Sequence, residues 1–185
     1  MKNFPKVRTS KQKKVKQLLE SWTILRTIKD NPPMIDILDR AKLVEILTKL
    51  QVDDKPEFGA MTAQHMVEHL AFAVRFSNGN EPQKHHYSPD KEQKIKLFVI
   101  NTDNDMPIGF KSPVLPTEGL PTLRDSSLNI AIDNLKIELN NFDNHFLKYP
   151  TDKPINPTMG ELNYKEWVIF HNRHFTHHFK QFRLV

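Results

Sequence analysis

The sequence predicts an all-α protein in which four amphipathic helices pack as a four-helix bundle. In four segments the apolar residues recur every three or four positions, the spacing that places them on one face of an α-helix. Stretches that contain proline and glycine separate these segments, and no alternation of apolar and polar residues competes with the helical pattern. Two short links and one long crossover, between helices two and three, are typical of such a bundle.

The first two bundle helices lie in the N-terminal half of the chain. A short helix over residues 18–28 is followed by Pro32-Pro33, which ends it. The first long helix is predicted from Ile35 to Leu50, where apolar residues are dense. A second helix is predicted from the N-cap Thr62 to about residue 77, before a turn over residues 78–80.

A long crossover separates these helices from the last two. Residues 79–124 are rich in proline, glycine and charged residues, and only residues 95–100 indicate local order. The fourth helix is predicted to begin at a capping box of Asn163 and Glu166, with Leu162 and Trp167 as a hydrophobic staple, and to run nearly to the C-terminus. The third helix has a continuous apolar seam of Leu128, Ile132, Leu135, Leu139, Phe142 and Phe146.

The chain length and the charge distribution predict one domain with a basic arm. The 185 residues suffice for a single hydrophobic core, and their net charge of +5 first suggests a nucleic-acid partner. Residues 1–16, however, hold seven of the 27 basic residues and no acidic one, which leaves 20 basic and 22 acidic residues elsewhere. We therefore expect a flexible basic arm over residues 1–16, a single domain over 17–185 and no specific nucleic-acid partner.

Composition also indicates the compartment. The chain has no cysteine, which excludes disulfides, thiolate metal ligands and a cysteine nucleophile. It has neither a signal-peptide pattern nor a run of about 18 apolar residues. We expect a cytoplasmic protein without a membrane partner, acting on a small molecule, with a homodimer through an apolar bundle face as an ordinary possibility.

Three of the nine histidines predict a metal site. At 100° per residue, His69 lies in the middle of the apolar stripe of the second helix, and His174 and His178 face the core one turn apart on the fourth. Three neutral imidazoles can bind zinc, nickel or ferrous iron and leave positions open for water or substrate, whereas calcium and magnesium prefer oxygen ligands. The alternative is that they are core histidines with protein hydrogen-bond partners.

The other histidines have weaker patterns. His65 is either a fourth ligand or a residue packed at the edge of its helix, and the edge position is the favoured interpretation. His171 faces inward one turn before His174 and is a candidate for lining a cavity, while the position of His177 is ambiguous. We interpret the remaining three as loop or surface residues: His85, His86 and His145.

Two stretches of the sequence resemble a known family. Residues 58–70, together with Trp167 and the HxxHHxxQF run of residues 174–182, are similar to the DinB/YfiT-type metal-dependent superfamily, in particular to an uncharacterised branch of it. The layout is similar over about residues 34–185. The resemblance implies a four-helix bundle with a divalent metal, commonly nickel or zinc, held by His69, His174 and His178, the residues that helical periodicity selects independently.

The resemblance also implies a reaction class. Members of the superfamily include thiol-dependent S-transferases that use bacillithiol, mycothiol or glutathione, a maleylpyruvate isomerase and some hydrolases. We expect a metal-dependent enzyme, first a thiol-dependent S-transferase and second a hydrolase, and the alternative is a non-catalytic helical bundle that binds a partner. No catalytic residue or general base can be assigned, and residues 106–110 of the crossover match no thiol-binding motif.

Overall fold

The computed structural model describes residues 34–185, which belong to one compact unit. Helices contain 49% of these residues, and the rest form loops and one two-stranded sheet. The prediction of an all-α protein is therefore confirmed for this part of the chain. The predicted basic arm over residues 1–16 and the short helix over 18–28 lie outside the described residues.

Five helices follow one another along the described chain. They are α1 (Arg40–Leu47), α2 (Ala63–Ser77), α3 (Pro89–Asn101), α4 (Leu128–Lys148) and α5 (Tyr164–Gln181). Between α4 and α5, β1 (Ile155–Asn156) pairs antiparallel with β2 (Gly160–Glu161). None of the helices within residues 34–185 combines the length and the hydropathy that a membrane crossing needs.

The helices that lead to the histidines begin at side-chain caps. The Thr62 side chain accepts a hydrogen bond from the backbone N–H of His65 at the start of α2, as predicted. At the start of α5, Asn163 and Glu166 form the predicted capping box: each side chain accepts a hydrogen bond from the other residue's backbone N–H, at 3.2 and 2.9 Å. The chain therefore enters α2 and α5 with defined geometry.

The core lies where α2 packs against α4 and contacts α5. On α4 every residue of the predicted apolar seam is buried except Ile132, which is partly buried. On α5 the side chains of Trp167, Phe175 and Phe179 are fully buried. The apolar faces of these three helices therefore hold α2 and α5, which carry the predicted metal ligands, in one hydrophobic core.

The first helix is shorter than predicted. It spans eight residues, Arg40–Leu47, and not the predicted range from residue 35 to residue 50. Ile35 and Ile37 are buried, but they precede the helix, and their backbone N–H groups donate to the side chains of Thr176 and Asn172 on α5. These hydrogen bonds to α5 replace those of a helix, so the apolar pattern here reflects burial without helical structure.

The crossover contains more structure than predicted. The local order predicted over residues 95–100 is present as part of the 13-residue helix α3, of which only Glu92, Val99 and Ile100 are buried. The guanidinium of Arg173 on α5 donates to three carbonyl groups at the C-terminal end of α3 and just after it, those of Val99, Thr102 and Asn104. Docking on α5 therefore stabilises a helix whose own apolar face is narrow.

We expect the Asn163 cap to contribute measurably to stability. Asn163→Ala removes the acceptor for the backbone N–H of Glu166, and we expect it to lower the free energy of unfolding by about 1 kcal/mol. Ser88→Ala is the matched control, because Ser88 caps α3 without a side-chain hydrogen bond. We expect it to lower the free energy of unfolding by only a few tenths of a kcal/mol. Urea unfolding of both variants measures the difference, and equal losses would contradict this role of Asn163.

Candidate metal centre

The structure brings the three predicted ligands together. Nε2 of His174 lies 2.9 Å from Nε2 of His69 and 3.1 Å from Nε2 of His178. One nitrogen atom of each ring lies within 4.8 Å of the other two, and within residues 34–185 the cluster contains no carboxylate. The convergence that helical periodicity predicted across α2 and α5 is therefore present, as a cluster that could hold a metal ion.

The cluster lies between α2 and α5 and is mostly, but not completely, buried. His174 and His178 are buried, whereas His69 is partly exposed. The three rings meet pairwise edge to face, with centroids 4.8 Å apart. Phe170 stacks on His174 at 5.2 Å between ring centroids, so an aromatic wall bounds the cluster on one side.

Burial keeps the three imidazoles neutral. Desolvation, with a smaller contribution from His177, lowers the pKa of His69 to about 4. Desolvation also lowers the pKa of His174 and of His178 well below the usual value near 6.5, and the neighbouring histidines add to it. At neutral pH each ring therefore has one nitrogen with a free lone pair, which is the form that binds a metal.

Hydrogen bonds among the three rings cannot satisfy the cluster. The Nε2 atom of His174 faces two other Nε2 atoms, but in a neutral ring it carries either one proton or one lone pair. Nδ1 of His69 and Nδ1 of His174 are buried and have no hydrogen-bond partner among the residues that the structure describes. A cation bound through the Nε2 atoms would leave these two Nδ1 atoms as N–H groups without a partner, so the case for a cation rests on the Nε2 atoms.

A shared cation fits this donor set. Nitrogen atoms bound at about 2.0–2.1 Å to one zinc ion lie about 2.8–3.4 Å apart for bond angles between about 90° and 109°. The two Nε2 to Nε2 distances, 2.9 and 3.1 Å, fall in that range. Imidazole donors suit zinc, nickel, copper and iron, and three of them leave positions open.

Two further histidines lie outside the cluster and contact other residues instead. His65 lies between the Thr62 hydroxyl, 2.7 Å from Nδ1, and the carbonyl of Pro121, 3.1 Å from Nε2, so it occupies the edge position and joins the crossover to α2. His171 is fully buried, with Nε2 2.9 Å from Oγ of Ser77 and its ring stacked on Trp167. His171 therefore faces the core, as predicted, and its interpretation as a cavity-lining residue stays a prediction.

The remaining histidines also acquire partners. The half-buried His177 packs its ring against Phe58 and His178, with centroids 5.1 and 5.0 Å away, so it adjoins the cluster without joining it. His85 is in a loop, and its Nδ1 lies 2.9 Å from a carboxylate oxygen of the buried Glu92. His145 is not a loop residue, because it lies on α4 with its side chain mostly buried beside Asp152. His86 lies in the loop before α3, as predicted.

A residue that the sequence reasoning missed supports the cluster. The side-chain oxygen Oε1 of Gln181 lies 2.8 Å from Nδ1 of His178, and its Nε2 donates to the carbonyl of Phe58 at 2.6 Å. The position of Gln181 three residues after His178 on the same helix is a signal that could have identified it. Its second partner is 123 residues away in the chain and has no such signal.

A cavity of about 410 Å³ lies elsewhere in the molecule. Its lining comes from the start of α3, the β hairpin and the start of α5, including Glu92, Lys96 and Glu166. None of the three clustered histidines lines it. This cavity is therefore separate from the candidate metal centre.

Comparisons with known proteins yielded no relative. No protein-family model matches the chain, and neither the curated proteins nor the solved structures gave a significant match. The resemblance to the DinB/YfiT superfamily therefore stays a prediction from the sequence.

We expect the metal-free protein to become less stable as the pH falls from about 6.5 towards 4. Burial lowers the pKa of His69 to about 4 and that of His171 to about 3, whereas histidines of the unfolded chain titrate near the ordinary value of about 6.5. Between these values the unfolded chain binds more protons, and each such histidine adds about 1.4 kcal/mol per pH unit to the loss. Urea titrations at about pH 7, 6 and 5 measure it, and a constant free energy of unfolding would contradict the burial of neutral histidines.

Proposed function

We propose that this protein is a metal-dependent enzyme in which His69, His174 and His178 bind one divalent cation. The observation that carries the proposal is the approach of two Nε2 atoms, at 2.9 and 3.1 Å, to the single Nε2 atom of His174. Neutral imidazoles cannot satisfy that arrangement by hydrogen bonds alone, whereas three lone pairs directed at one cation can. The partial exposure of His69 supports access from outside the bundle.

Nickel and zinc are the proposed ions, with ferrous iron as a further option, because all three accept imidazole ligands. The three histidines are neutral ligands, so a divalent ion bound to them would keep its full charge. It would favour an anion, such as a thiolate or hydroxide, as an additional ligand. When bound, the ion supplies Lewis acidity, which lowers the pKa of a coordinated thiol or water. The chain's own contribution is to hold three neutral donors in place beside the aromatic side chain of Phe170.

The reaction that we propose is thiol-dependent S-transfer to a small electrophilic substrate, with a low-molecular-weight thiol as cosubstrate. The sequence resemblance to the DinB/YfiT superfamily supports this class, and the order of helices supports a bundle of that type. In this proposal α1, α2, α4 and α5 are the four bundle helices, and α3 lies within the crossover. A metal-dependent hydrolase with the same centre is the second candidate, and a non-catalytic bundle that binds a partner is the third.

Two features bear on the cellular setting of the proposed enzyme. The absence of cysteine supports a cytoplasmic location. Ile130 and Ile137, two turns apart on α4, are about half exposed, and they are the apolar positions that we propose for a homodimer contact.

Metal content tests the site directly. We expect the protein, purified without a His-tag, to bind about one nickel or zinc ion per chain by mass spectrometry, and His174→Ala to lower the affinity by more than about 100-fold. His65→Ala is the matched control, because His65 lies one turn before His69 on α2 but outside the cluster. Substoichiometric metal in the wild-type protein, or equal metal content in both variants, would overturn the proposed site.

Thiol binding separates the proposed reactions. We expect glutathione, added to the Co²⁺-substituted protein, to produce a thiolate-to-metal charge-transfer band that is absent from the Co²⁺-treated His174→Ala variant. A metal-loaded protein that shows no such band but cleaves activated esters would support the hydrolase instead. If neither signal appears although the metal is bound, the centre is non-catalytic and the proposed enzyme function is wrong.

A further inference from the structure

Gln181 joins the histidine cluster to a distant turn of the chain. Its side chain is 4% exposed, and it lies between Nδ1 of His178 at 2.8 Å and the carbonyl oxygen of Phe58 at 2.6 Å. Its own carbonyl accepts a hydrogen bond of 2.7 Å from the backbone N–H of Glu57. Three hydrogen bonds thus connect the end of α5, the turn at residues 57–59 and one of the proposed ligands.

These partners determine which way the Gln181 amide points. A backbone carbonyl only accepts hydrogen bonds, so the group that faces Phe58 is the amide NH₂ of Gln181. The amide oxygen therefore faces His178, and it can only accept. It follows that Nδ1 of His178 carries the ring proton and that Nε2 carries the lone pair.

We propose that Gln181 is a positioning residue that holds His178 in the Nδ1–H tautomer, with its Nε2 lone pair directed at the proposed metal. This inference rests on the function proposed above. The alternative tautomer has a proton on Nε2 and cannot coordinate through that atom. Mutation of a residue that hydrogen-bonds a metal ligand, without binding the metal itself, typically lowers the metal affinity about 10–100-fold.

The turn at residues 57–59 fixes the position of the Gln181 amide, because the carbonyl of Phe58 accepts its hydrogen bond. Gly59 has φ of +76°, and a Cβ atom built on it would lie 3.0 Å from Nε2 of Gln181. Gly59→Ala therefore combines backbone strain with a close steric contact to the Gln181 amide. Gly109 has a similar φ of +79°, but a Cβ atom there would meet nothing within 4 Å, so Gly109→Ala isolates the strain.

The first test reads the tautomer without any metal. Two-bond ¹H–¹⁵N correlation spectra of the metal-free protein are expected to show the Nδ1–H tautomer of His178 in the wild type and in Gln181→Glu, which keeps an acceptor oxygen. In Gln181→Leu the spectra are expected to show a substantial population of the Nε2–H tautomer. The same tautomer in all three proteins would overturn the inference, and so would an Nε2–H tautomer in the wild type.

The second test measures metal affinity. We expect Gln181→Leu to weaken zinc or nickel binding about 10–100-fold and Gln181→Glu to stay within a few-fold of the wild type. Gln64→Leu is the matched control, because the buried Gln64 amide also makes two hydrogen bonds, to Glu68 and to the carbonyl of Asp125, and none to a histidine. Gly59→Ala is expected to weaken binding more than Gly109→Ala does.

The outcomes separate this inference from the proposed function. If the wild type binds no metal, the proposed function fails, while the tautomer spectra still decide the role of Gln181. If the wild type binds metal and folded Gln181→Leu binds it equally well, the inference is wrong and the metal site stands. Should Gln181→Leu fail to fold, the pair Gly59→Ala and Gly109→Ala decides, because equal affinities in that pair would contradict the role of Gln181.

Discussion

The proposed site depends on one contact, the 2.9 Å approach of Nε2 of His69 on α2 to Nε2 of His174 on α5. The contact joins two residues that are 105 positions apart in the chain, in a region where burial keeps both rings neutral. Two neutral imidazole nitrogens can share at most one proton, and His178 brings a third to the same place. A divalent cation would remove that conflict, and this is the physical argument for the proposed metal centre.

The convergence of His69, His174 and His178 is anticipated by the sequence because it depends mainly on local periodicity. A helix advances 100° per residue, so the apolar stripe of each helix shows which of its histidines face the core, and this selects His69, His174 and His178 without knowledge of the fold. The caps at Thr62 and at Asn163 with Glu166 are predictable for the same reason, since their partners lie three residues away. His171 shows the limit of this reasoning, because it also faces inward and yet lies outside the cluster, beside Ser77.

The features that the sequence could not predict depend on distant partners. Helix α3 buries only three residues, and its C-terminal end is held by Arg173, so its own pattern is too weak to predict it. The first helix was overpredicted because Ile35 and Ile37 are apolar and buried, yet their backbones are hydrogen-bonded to α5. The role of Gln181 likewise needs the carbonyl of Phe58, which no local pattern brings to it.

Anomalous X-ray scattering from crystals of the metal-loaded protein would show whether the three histidines bind one metal ion. Data collected on both sides of the nickel or zinc absorption edge locate the ion and identify it in one experiment. We expect a single anomalous peak at about 2.0–2.1 Å from Nε2 of His69, His174 and His178. A peak bound by other residues, or a histidine cluster without any peak in protein that contains a full equivalent of metal, would contradict it.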